Sequence, residues 1–366
     1  MFMKKSFDEV FVDNTKYCTK IKTSDYFEQG EYTIIDQGQN PIAGYTSLQD
    51  GVFNDVPAII FGDHTRIIKY IDEPFFIGAD GVKVLKSKLP NSNYKYLYYA
   101  LKNADIPNTG YNRHFKWLKE VKINYPSSEK QNEIVKILDE VVSIIDCRKQ
   151  QLQQFDELVK ARFVEMFRES KQYPKEALNN NVEQMFIGPF GSALKNEYFV
   201  DESDAYCMVY EQKHAIQKTM DLPTRYVNEE KYKELKRFEI HGGDIIVSCR
   251  GTIGEIYSIP NDAPMGIMHP SIMKIRLNKE KYCNLFFVFM LEEFMRESIK
   301  KANGSGIKMA ITATELGKEL FVVPPIEKQN EFETFVKQID KSKFVVHKAL
   351  DEAQTLFDSL MQEYFG

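Results

Sequence analysis

The feature that most constrains the fold is a short segment that the chain carries twice. Residues 126–134 read PSSEKQNEI and residues 324–332 read PPIEKQNEF, 198 positions later. The central EKQNE is identical in both copies. Because five identical residues can arise by chance, the sequence that follows each copy decides whether the chain contains a duplicated unit.

Both copies are followed by apolar residues at alternating spacings of four and three. Eight of ten such positions are apolar after the first copy and nine of ten after the second. The positions are Ile134, Leu138, Val141, Ile145, Arg148, Leu152, Phe155, Val159, Arg162 and Met166, then Phe332, Val336, Ile339, Lys343, Val346, Leu350, Ala353, Phe357, Leu360 and Tyr364. A sustained period of 3.5 residues is typical of a coiled-coil seam, so we predict two long helices that pack against each other in antiparallel orientation.

The expected helices are long and have a clear start. A proline followed by a glutamate three residues later suits the first turn of each, and we expect helices within 126–170 and 324–366. About 38 residues make a helix roughly 57 Å long. Arg148, Arg162 and Lys343 fall in the seam, where a buried charge costs stability but can fix the register, or they face a partner. Two independent structural helices are the alternative interpretation.

The two globular halves, residues 1–125 and 171–323, share an order of predicted elements. In each half, β-branched and aromatic runs cut by Gly, Asn and Asp predict strands, an apolar segment predicts a helix, and a last strand leads into the repeated segment. The sequences differ, as expected for one fold with two sets of surface residues, or for drift after duplication. We predict an α+β fold class, with two mixed α/β domains separated by two long antiparallel coiled-coil helices in an internal pseudo-two-fold repeat.

The composition is ordinary for a globular protein. A net charge of −5 argues against a polycation that coats nucleic acid, although it is compatible with a local basic groove. The five cysteines are scattered and never form a CxxC pair, which indicates reduced thiols. No signal peptide is visible, and no apolar run approaches about 18 residues. We therefore expect a cytoplasmic protein that makes no contact with a membrane.

Little in the sequence predicts a catalyst. No phosphate-binding GxxxxGK[ST] loop, HExxH motif or cluster of His and Cys is present. Asp105 with Glu120 and Lys122 fits the loose spacing of many nucleases, a pattern that arises by chance in most proteins of this size. The segment DEPFF (Asp72–Phe76) is close to the Asp-Pro-Pro-Phe loop of amino-methyltransferases, but Glu73 replaces the first proline. We predict no catalytic residues and no bound metal.

Several loops place hydrogen-bond donors beside glycines. Arg and Asn side chains make bidentate contacts to guanine and adenine edges, while Lys, Ser and backbone N–H groups position phosphates. A solvated surface role explains any single one of these residues equally well. The candidate DNA-binding residues are His64, Thr65, Arg66, Lys69, Tyr111, Asn112, Arg113, His114, Lys195, Arg250, Thr252, His269, Ser271, Ser305 and Lys308.

Taken together, these segments resemble the specificity (S) subunit of type I restriction-modification enzymes. VPAIIFGDHTRIIKYIDEPFFIGADGVKVL resembles the strand core of a first target-recognition domain of that family, and GDIIVSCRGTIGEIYSI with HPSIMKIRLN resembles the equivalent part of a second. Proline and EKQNE before each long helix resemble the start of the family's conserved regions, and RKQQLQQFDELVKARFVEMF resembles their helix end. In the first copy, Ser127 replaces the second proline.

The resemblance implies a non-catalytic, sequence-specific DNA-binding subunit. Residues 1–125 and 171–323 would be target-recognition domains 1 and 2, each reading one half of a bipartite double-stranded DNA site. The coiled-coil helices, 126–170 and 324–366, would set the spacer and dock two modification (methyltransferase) subunits, and two motor-nuclease restriction subunits would join them. No cofactor would bind this chain, because S-adenosylmethionine, ATP and Mg²⁺ act in the partner subunits. A coiled-coil scaffold and a single-chain nuclease or methyltransferase are the alternatives.

Overall fold

The computed structural model describes residues 3–78, 80–168, 173–305 and 312–366. It divides into two compact units, one formed by residues 1–152 with 345–366 and the other by residues 153–344. Each unit therefore contains one globular half together with part of each long helix.

The first unit combines short strands with helices that cover them. Its strands are β1 (Met3–Ser6), β2 (Phe11–Asp13), β3 (Tyr32–Ile35), β4 (Gly44–Thr46), β5 (Ala58–Gly62), β6 (Ile68–Ile71), β7 (Phe75–Ile77), β8 (Val82–Ser87) and β9 (Lys122–Tyr125). Its helices are α1 (Phe7–Val10), α2 (Tyr94–Lys102), α3 (Phe115–Leu118) and the first part of α4 (Ser128–Phe163).

These strands form one four-stranded antiparallel sheet and two smaller sheets. The large sheet has the order β2-β8-β5-β6, a second has the order β4-β3-β7 with β3 parallel to β7, and β1 pairs with β9. Successive side chains of β5 point to opposite faces of the sheet. Ile59 and Phe61 pack with α2 and the long helices, while Ala58 and Ile60 pack with residues of β7. Both faces of β5 are therefore covered, which explains its continuous apolar run.

The second unit also combines short strands with covering helices. Its strands are β10 (Lys175–Ala177), β11 (Val182–Ile187), β12 (Cys207–Tyr210), β13 (Tyr226–Val227), β14 (Glu239–Ile240), β15 (Ile245–Ser248), β16 (Ile256–Ser258), β17 (Gly266–Met268), β18 (Ile272–Leu277) and β19 (Leu320–Val322). Its helices are α5 (Gln212–Gln217), α6 (Glu229–Leu235), α7 (Asn284–Ser305), α8 (Ala313–Lys318) and the first part of α9 (Ile326–Phe365).

The second unit repeats the sheet topology of the first and adds one strand, β14, at the edge of its second sheet. Its large sheet has the order β11-β18-β15-β16, its second sheet has the order β13-β12-β17-β14 with β12 parallel to β17, and β10 pairs with β19. In β15, Ile245 and Val247 pack with α7 and the long helices, while Ile246 packs on the opposite face. Two mixed domains of one topology confirm the predicted fold class.

The long helices run antiparallel within the units. In the second unit, Asp156 of α4 lies 2.6 Å from Lys343 of α9, and the ring centre of Phe163 lies 5.6 Å from that of Phe332. Positions thus rise along α4 as they fall along α9. In the first unit, the beginning of α4 and the end of α9 share one apolar cluster. All twenty predicted seam positions are buried or half-buried, which confirms the seam.

The three charged seam residues find polar partners at the rim of the helix pair. Their apolar stems line the seam while their charged ends reach outward. The pairs are Arg148 with Gln151 at 3.0 Å, Arg162 with Glu165 at 2.7 Å and Lys343 with Asp156 at 2.6 Å. Carboxylates compensate the charges of Arg162 and Lys343, whereas the partner of Arg148 is a neutral amide.

Two details of the elements differ from the sequence prediction. The α-helical part of α4 ends at Phe163 and widens into a π-helical turn, Val164–Arg168, whereas the sequence predicted one unbroken helix; residues 169 and 170 lie outside the described residues. The helices α1, α3, α5, α6 and α8 were not predicted. They contain four to seven residues, which hold less than two turns of a periodic pattern.

Candidate nucleic-acid interface

Three connections meet at one edge of the first unit. Ile35 at the end of β3 pairs with Ile77 at the end of β7, so the residues that follow both strands leave from the same edge. The β5–β6 hairpin turns beside them, because Gly62 of β5 pairs with Val82 of β8. We name these connections the strand-end segment (after β3), the hairpin loop (between β5 and β6) and the crossing loop (between β7 and β8).

The second unit builds the same three connections after β12, between β15 and β16, and between β17 and β18. The backbone hydrogen bonds that join them correspond. Asp63 N donates to Gly81 O at 2.7 Å, and Cys249 N donates to Ser271 O at 2.9 Å. One structural arrangement is thus made twice from different residues.

Gln37 holds the three connections of the first unit together. Its Oε1 accepts a hydrogen bond from His64 N at 3.1 Å, and its Nε2 donates to Asp80 O at 3.0 Å. Its backbone carbonyl accepts a hydrogen bond from Thr65 Oγ1 at 2.6 Å. One residue of the strand-end segment therefore fixes both the hairpin loop and the crossing loop.

The loop between α2 and α3 adds exposed aromatic and cationic groups to this edge. Tyr111 is 88% exposed, and its ring stacks on His64 with 4.7 Å between centroids and 9° between planes. His64 Nδ1 lies 3.2 Å from Asn112 O, and Arg113 follows with an exposed side chain. The structure thus brings together four predicted residues from two loops about 48 positions apart.

An ion pair borders this group. Lys20 Nζ lies 2.6 Å from the exposed carboxylate of Asp80. The hydrogen bond from Lys20 is the main cause that lowers the pKa of Asp80, and the charge of Arg113 lowers it further. Asp80 is therefore an ionised acceptor beside cationic donors, a type of group that accepts from the amino group of cytosine.

Two residues of the first unit that were predicted to bind DNA are buried instead. His114 is fully buried, with Nδ1 at 3.0 Å from Asp63 O. Lys69 is 8% exposed, and its Nζ donates to Asn40 O at 2.6 Å and lies 3.5 Å from Asp36. A side chain enclosed in this way presents no donor to a ligand, so we correct both assignments to roles in holding the loops.

In the second unit, the backbone at Gly188 lies close to the backbone of residues 269–272. Gly188 N donates to Ile272 O at 3.0 Å, and a side chain at Gly188 would collide with the carbonyl of His269. His269 Nδ1 lies 2.7 Å from Ser271 Oγ. Because Ser271 is buried and bonded to this imidazole, we correct its assignment to one of positioning His269.

Several cationic side chains lie at the same edge of the second unit. Glu211 pairs with Arg225 and, at 2.8 Å, with Lys213. Burial alone would raise the pKa of Glu211, but the hydrogen bonds from these two cations lower it below its ordinary value. Burial lowers the pKa of His269, and Arg225, Arg250 and Lys213 lower it further against the opposing charge of Glu211. A neutral imidazole among three cations suits a polyanionic ligand.

The other predicted residues differ in accessibility. Arg66 adopts a left-handed backbone (φ 63°) and donates from Nη1 to Ile106 O at 2.9 Å. Lys308 and the side chain of Ser305 lie outside the described residues. The exposed candidates are Thr65, Tyr111, Asn112, Arg113, Lys195, Arg250 and Thr252, and the half-buried ones are His64, Arg66 and His269.

Sequence reasoning missed the residues of the strand-end segments. Asp36 and Gln37 follow β3, and Glu211 and Gln212 follow β12. A signal was present, because an acidic residue and a glutamine follow an apolar strand in both halves. The residue types alone do not show that these positions correspond, since the correspondence lies in the sheet pairing.

The described residues contain no group of three or more His, Cys, Asp or Glu side chains placed to hold a metal ion. Across the described part of the chain, no helix is long and apolar enough to span a membrane.

Two mixed domains of one topology, each continued by a long helix of an antiparallel pair, define a duplicated two-domain architecture. The family described as type I restriction modification DNA specificity domain matches residues 2–156 and again residues 194–353. The chain belongs to this family.

A curated protein is also similar to this chain. The MjaX specificity subunit attributed to a type I restriction enzyme of Methanocaldococcus jannaschii is 25% identical over 230 residues, which cover 61% of this chain and 53% of that relative. The chain thus matches about half the length of this curated relative.

Two solved structures share the fold. The S subunit of a type I restriction-modification system from M. genitalium has a TM-score of 0.57 at 17% identity and covers all of this chain and 96% of its own. A chain from a structure of type I R-M complex assembly and conformational transition has a TM-score of 0.63 at 12% identity, covering all of this chain and 97% of its own.

Proposed function

We propose that this chain is the non-catalytic DNA-specificity subunit of a type I restriction-modification complex, in which each globular half reads one half of a bipartite double-stranded DNA site. The observation that carries the proposal is the three-connection edge, which both units build with corresponding backbone bonds and different exposed donors. One scaffold with two different sets of side chains suits a protein that reads two different sequences.

The chemistry of both edges suits duplex DNA. Exposed Arg113 and Arg250 provide planar donors that match guanine edges, and Asn112 provides an acceptor through Oδ1, because its Nδ2 donates to Thr109 O. Lys195 and Lys213 provide charges for phosphates. These groups are local, so they are compatible with the net charge of −5.

The long helices suit the docking of partners. Each exposes large apolar side chains outside its seam, which a protein partner would bury. These side chains are Ile144 and Leu158 of α4 and Phe344, Val345 and Leu356 of α9. We assign residues 126–170 and 324–366 to the docking of two methyltransferase subunits and to setting the spacer, and residues 1–125 and 171–323 to recognition.

The remaining activities belong to the partners in this proposal. S-adenosylmethionine would bind the methyltransferase subunits, while ATP and Mg²⁺ would serve two motor-nuclease subunits. A chain that acts on genomic DNA in this way works in the cytoplasm.

Methylation mapping tests the proposal. The chain is expressed with the partners that it captures in a pull-down, and methylated adenines are mapped in genomic DNA with and without the chain. A split motif that appears only with the chain is expected. Partners that bind without any chain-dependent motif, or an absence of captured partners, would contradict it.

A further inference from the structure

Buried polar atoms without partners are concentrated in one segment of the second unit. Within the described residues, three buried side-chain atoms have neither a hydrogen-bond partner nor an ion-pair partner, and two of these, Gln212 Oε1 and His214 Nε2, lie on α5. Glu211 Oε2, next to them, has Lys213 Nζ at 2.8 Å. Such groups are rare in native proteins, so the two on this helix need a partner that the described chain does not supply.

Gln212 has a structural counterpart whose polar atoms are all used. Gln37 is the second residue after β3, and Gln212 is the second residue after β12, where both strands pair in parallel with the equivalent neighbour. The amide of Gln37 bonds to the hairpin loop through Oε1 and to the crossing loop through Nε2. The Oε1 of Gln212 has no such bond within the described part of the chain.

Space for a ligand lies beside the amide of Gln212. Gly251 of the hairpin loop has φ +68°, and a side chain added there would meet only Gln212 Nε2, at 3.8 Å. The backbone of this loop therefore leaves room in which a base edge can approach the amide. Lys213 and Arg250 are the chain neighbours of Gln212 and Gly251, and both carry charges that suit phosphates.

We propose that Gln212 reads an adenine in the half-site bound by the second unit, whereas its counterpart Gln37 is a positioning residue that holds recognition loops. The inference rests on the proposed function. The Nε2 of Gln212 faces the space beside Gly251, and its Oε1, which is buried without a partner in the free chain, becomes available when the side chain turns toward that space. The carboxamide then offers one acceptor and one donor side by side, which match the N6 amino group and N7 of adenine in the major groove. The amide of Gln37 is already engaged and has neither group to offer.

The test maps the methylated motif in cells that contain the complete complex with wild type, Gln212→Leu, Gln212→Asn or Gln37→Leu. Both Gln212 variants are expected to lower discrimination at one adenine position roughly tenfold or more, because they remove or withdraw the amide. Every other position of both half-sites should keep its preference. Gln37→Leu is expected to weaken all positions of the other half-site together, because it releases two loops.

A third variant sharpens the base assignment. Gln212→Glu replaces the donor by a second acceptor, so the preference at the affected position is expected to move from adenine towards cytosine. Capture of the partner subunits by each variant shows that it is folded, and Gln212→Asn keeps the test valid if Gln212→Leu does not fold.

The outcomes separate the two proposals. A wild-type motif that all Gln212 variants leave unchanged, or that they relax across a whole half-site, would overturn the role of Gln212 and leave the proposed function intact. If the wild type produces no motif, both proposals fail.

Discussion

Gln329 Nε2 donates a hydrogen bond to the carbonyl oxygen of Pro324 at 2.9 Å, at the start of α9. The side chain is fully buried and also donates to Lys281 O at 2.7 Å, while its Oε1 accepts from Cys283 N at 2.9 Å. It thus ties the beginning of the long helix to the segment that enters α7.

The glutamine in the other copy of the repeated segment makes the equivalent hydrogen bond at the start of α4. Gln131 Nε2 donates to Pro126 O at 3.0 Å, and the side chain is 1% exposed. The glutamine of EKQNE therefore fixes the start of each long helix, which explains physically why the chain carries this segment twice.

We predict unequal costs for removing the two glutamines. Gln329→Leu removes the partner of one buried and two partly buried backbone groups, at up to about 1–3 kcal/mol for each, whereas Gln131→Leu removes the partner of one partly buried group. Hydrogen exchange followed by mass spectrometry should show faster exchange at the Cys283 amide in Gln329→Leu. Exposed Asn330 provides the control, because Asn330→Ala should leave this amide protected. Equal protection in both variants would show that the bond to Cys283 contributes little.

The sequence predicted those helices and strands whose own residues show a clear pattern of apolar positions. The seam from Ile134 to Met166 repeats over many turns, and β5 is an unbroken apolar run. Each pattern reports burial within one element, so neither depends on knowing the neighbours.

The recognition edge could not be predicted in the same way. Gln37 bonds to His64, 27 positions away, and to Asp80, 43 positions away. These contacts follow from the parallel pairing of β3 with β7, which no local pattern encodes. For the same reason, the sequence suggested His114 and Lys69 as donors, although tertiary packing encloses both.

The seam ion pair of the second unit should contribute little to stability. Lys343 is 23% exposed and pairs with a largely exposed Asp156, so we expect Lys343→Met to change the free energy of unfolding by less than about 1 kcal/mol. Phe163, whose ring lies 5.0 Å from Phe289 and 5.6 Å from Phe332, provides the contrast. Phe163→Ala should cost about 3–5 kcal/mol. Guanidinium unfolding followed by circular dichroism measures both, and a cost above about 2 kcal/mol for Lys343→Met would show that the pair fixes the register.

Arg113 and Arg250 should contribute to DNA affinity and not to assembly. Each is exposed at a recognition edge, and loss of one bidentate contact to a guanine edge costs about 1–3 kcal/mol of binding free energy. We therefore expect Arg113→Ala and Arg250→Ala to weaken binding of target duplexes by the complex, measured by anisotropy at several salt concentrations. Lys233→Ala, on the exposed side of α6, is the matched loss of charge and should leave affinity unchanged. Unaltered affinity in both arginine variants would remove these loops from the interface.

Lys274 is a charged residue enclosed in the second unit. It is 1% exposed, its Nζ donates to Gln184 Oε1 and to Glu239 O, both at 2.8 Å, and it lies 4.7 Å from the ring centre of Phe186. Burial lowers the pKa of Lys274 to about 8, against the opposing charge of Asp244. The protonated side chain is therefore less favourable in the folded protein than in the unfolded chain.

This shift predicts a protein whose stability rises with pH in the alkaline range. Below about pH 8, Lys274 is protonated in both states, and the folded state bears the full cost of burying its charge. Above that pH, the folded state loses the proton first, so the unfolded state binds more protons and stability rises with pH. At about 1.4 kcal/mol for each unit of pKa, the free energy of unfolding should increase by about 2 kcal/mol between about pH 7.5 and about pH 9.5, relative to a variant without this group. Lys274→Met is that variant, since it keeps the length of the side chain and removes the titration. Denaturant unfolding of both proteins across this range measures the difference, and a difference that stays constant with pH would show that Lys274 titrates normally in the folded state.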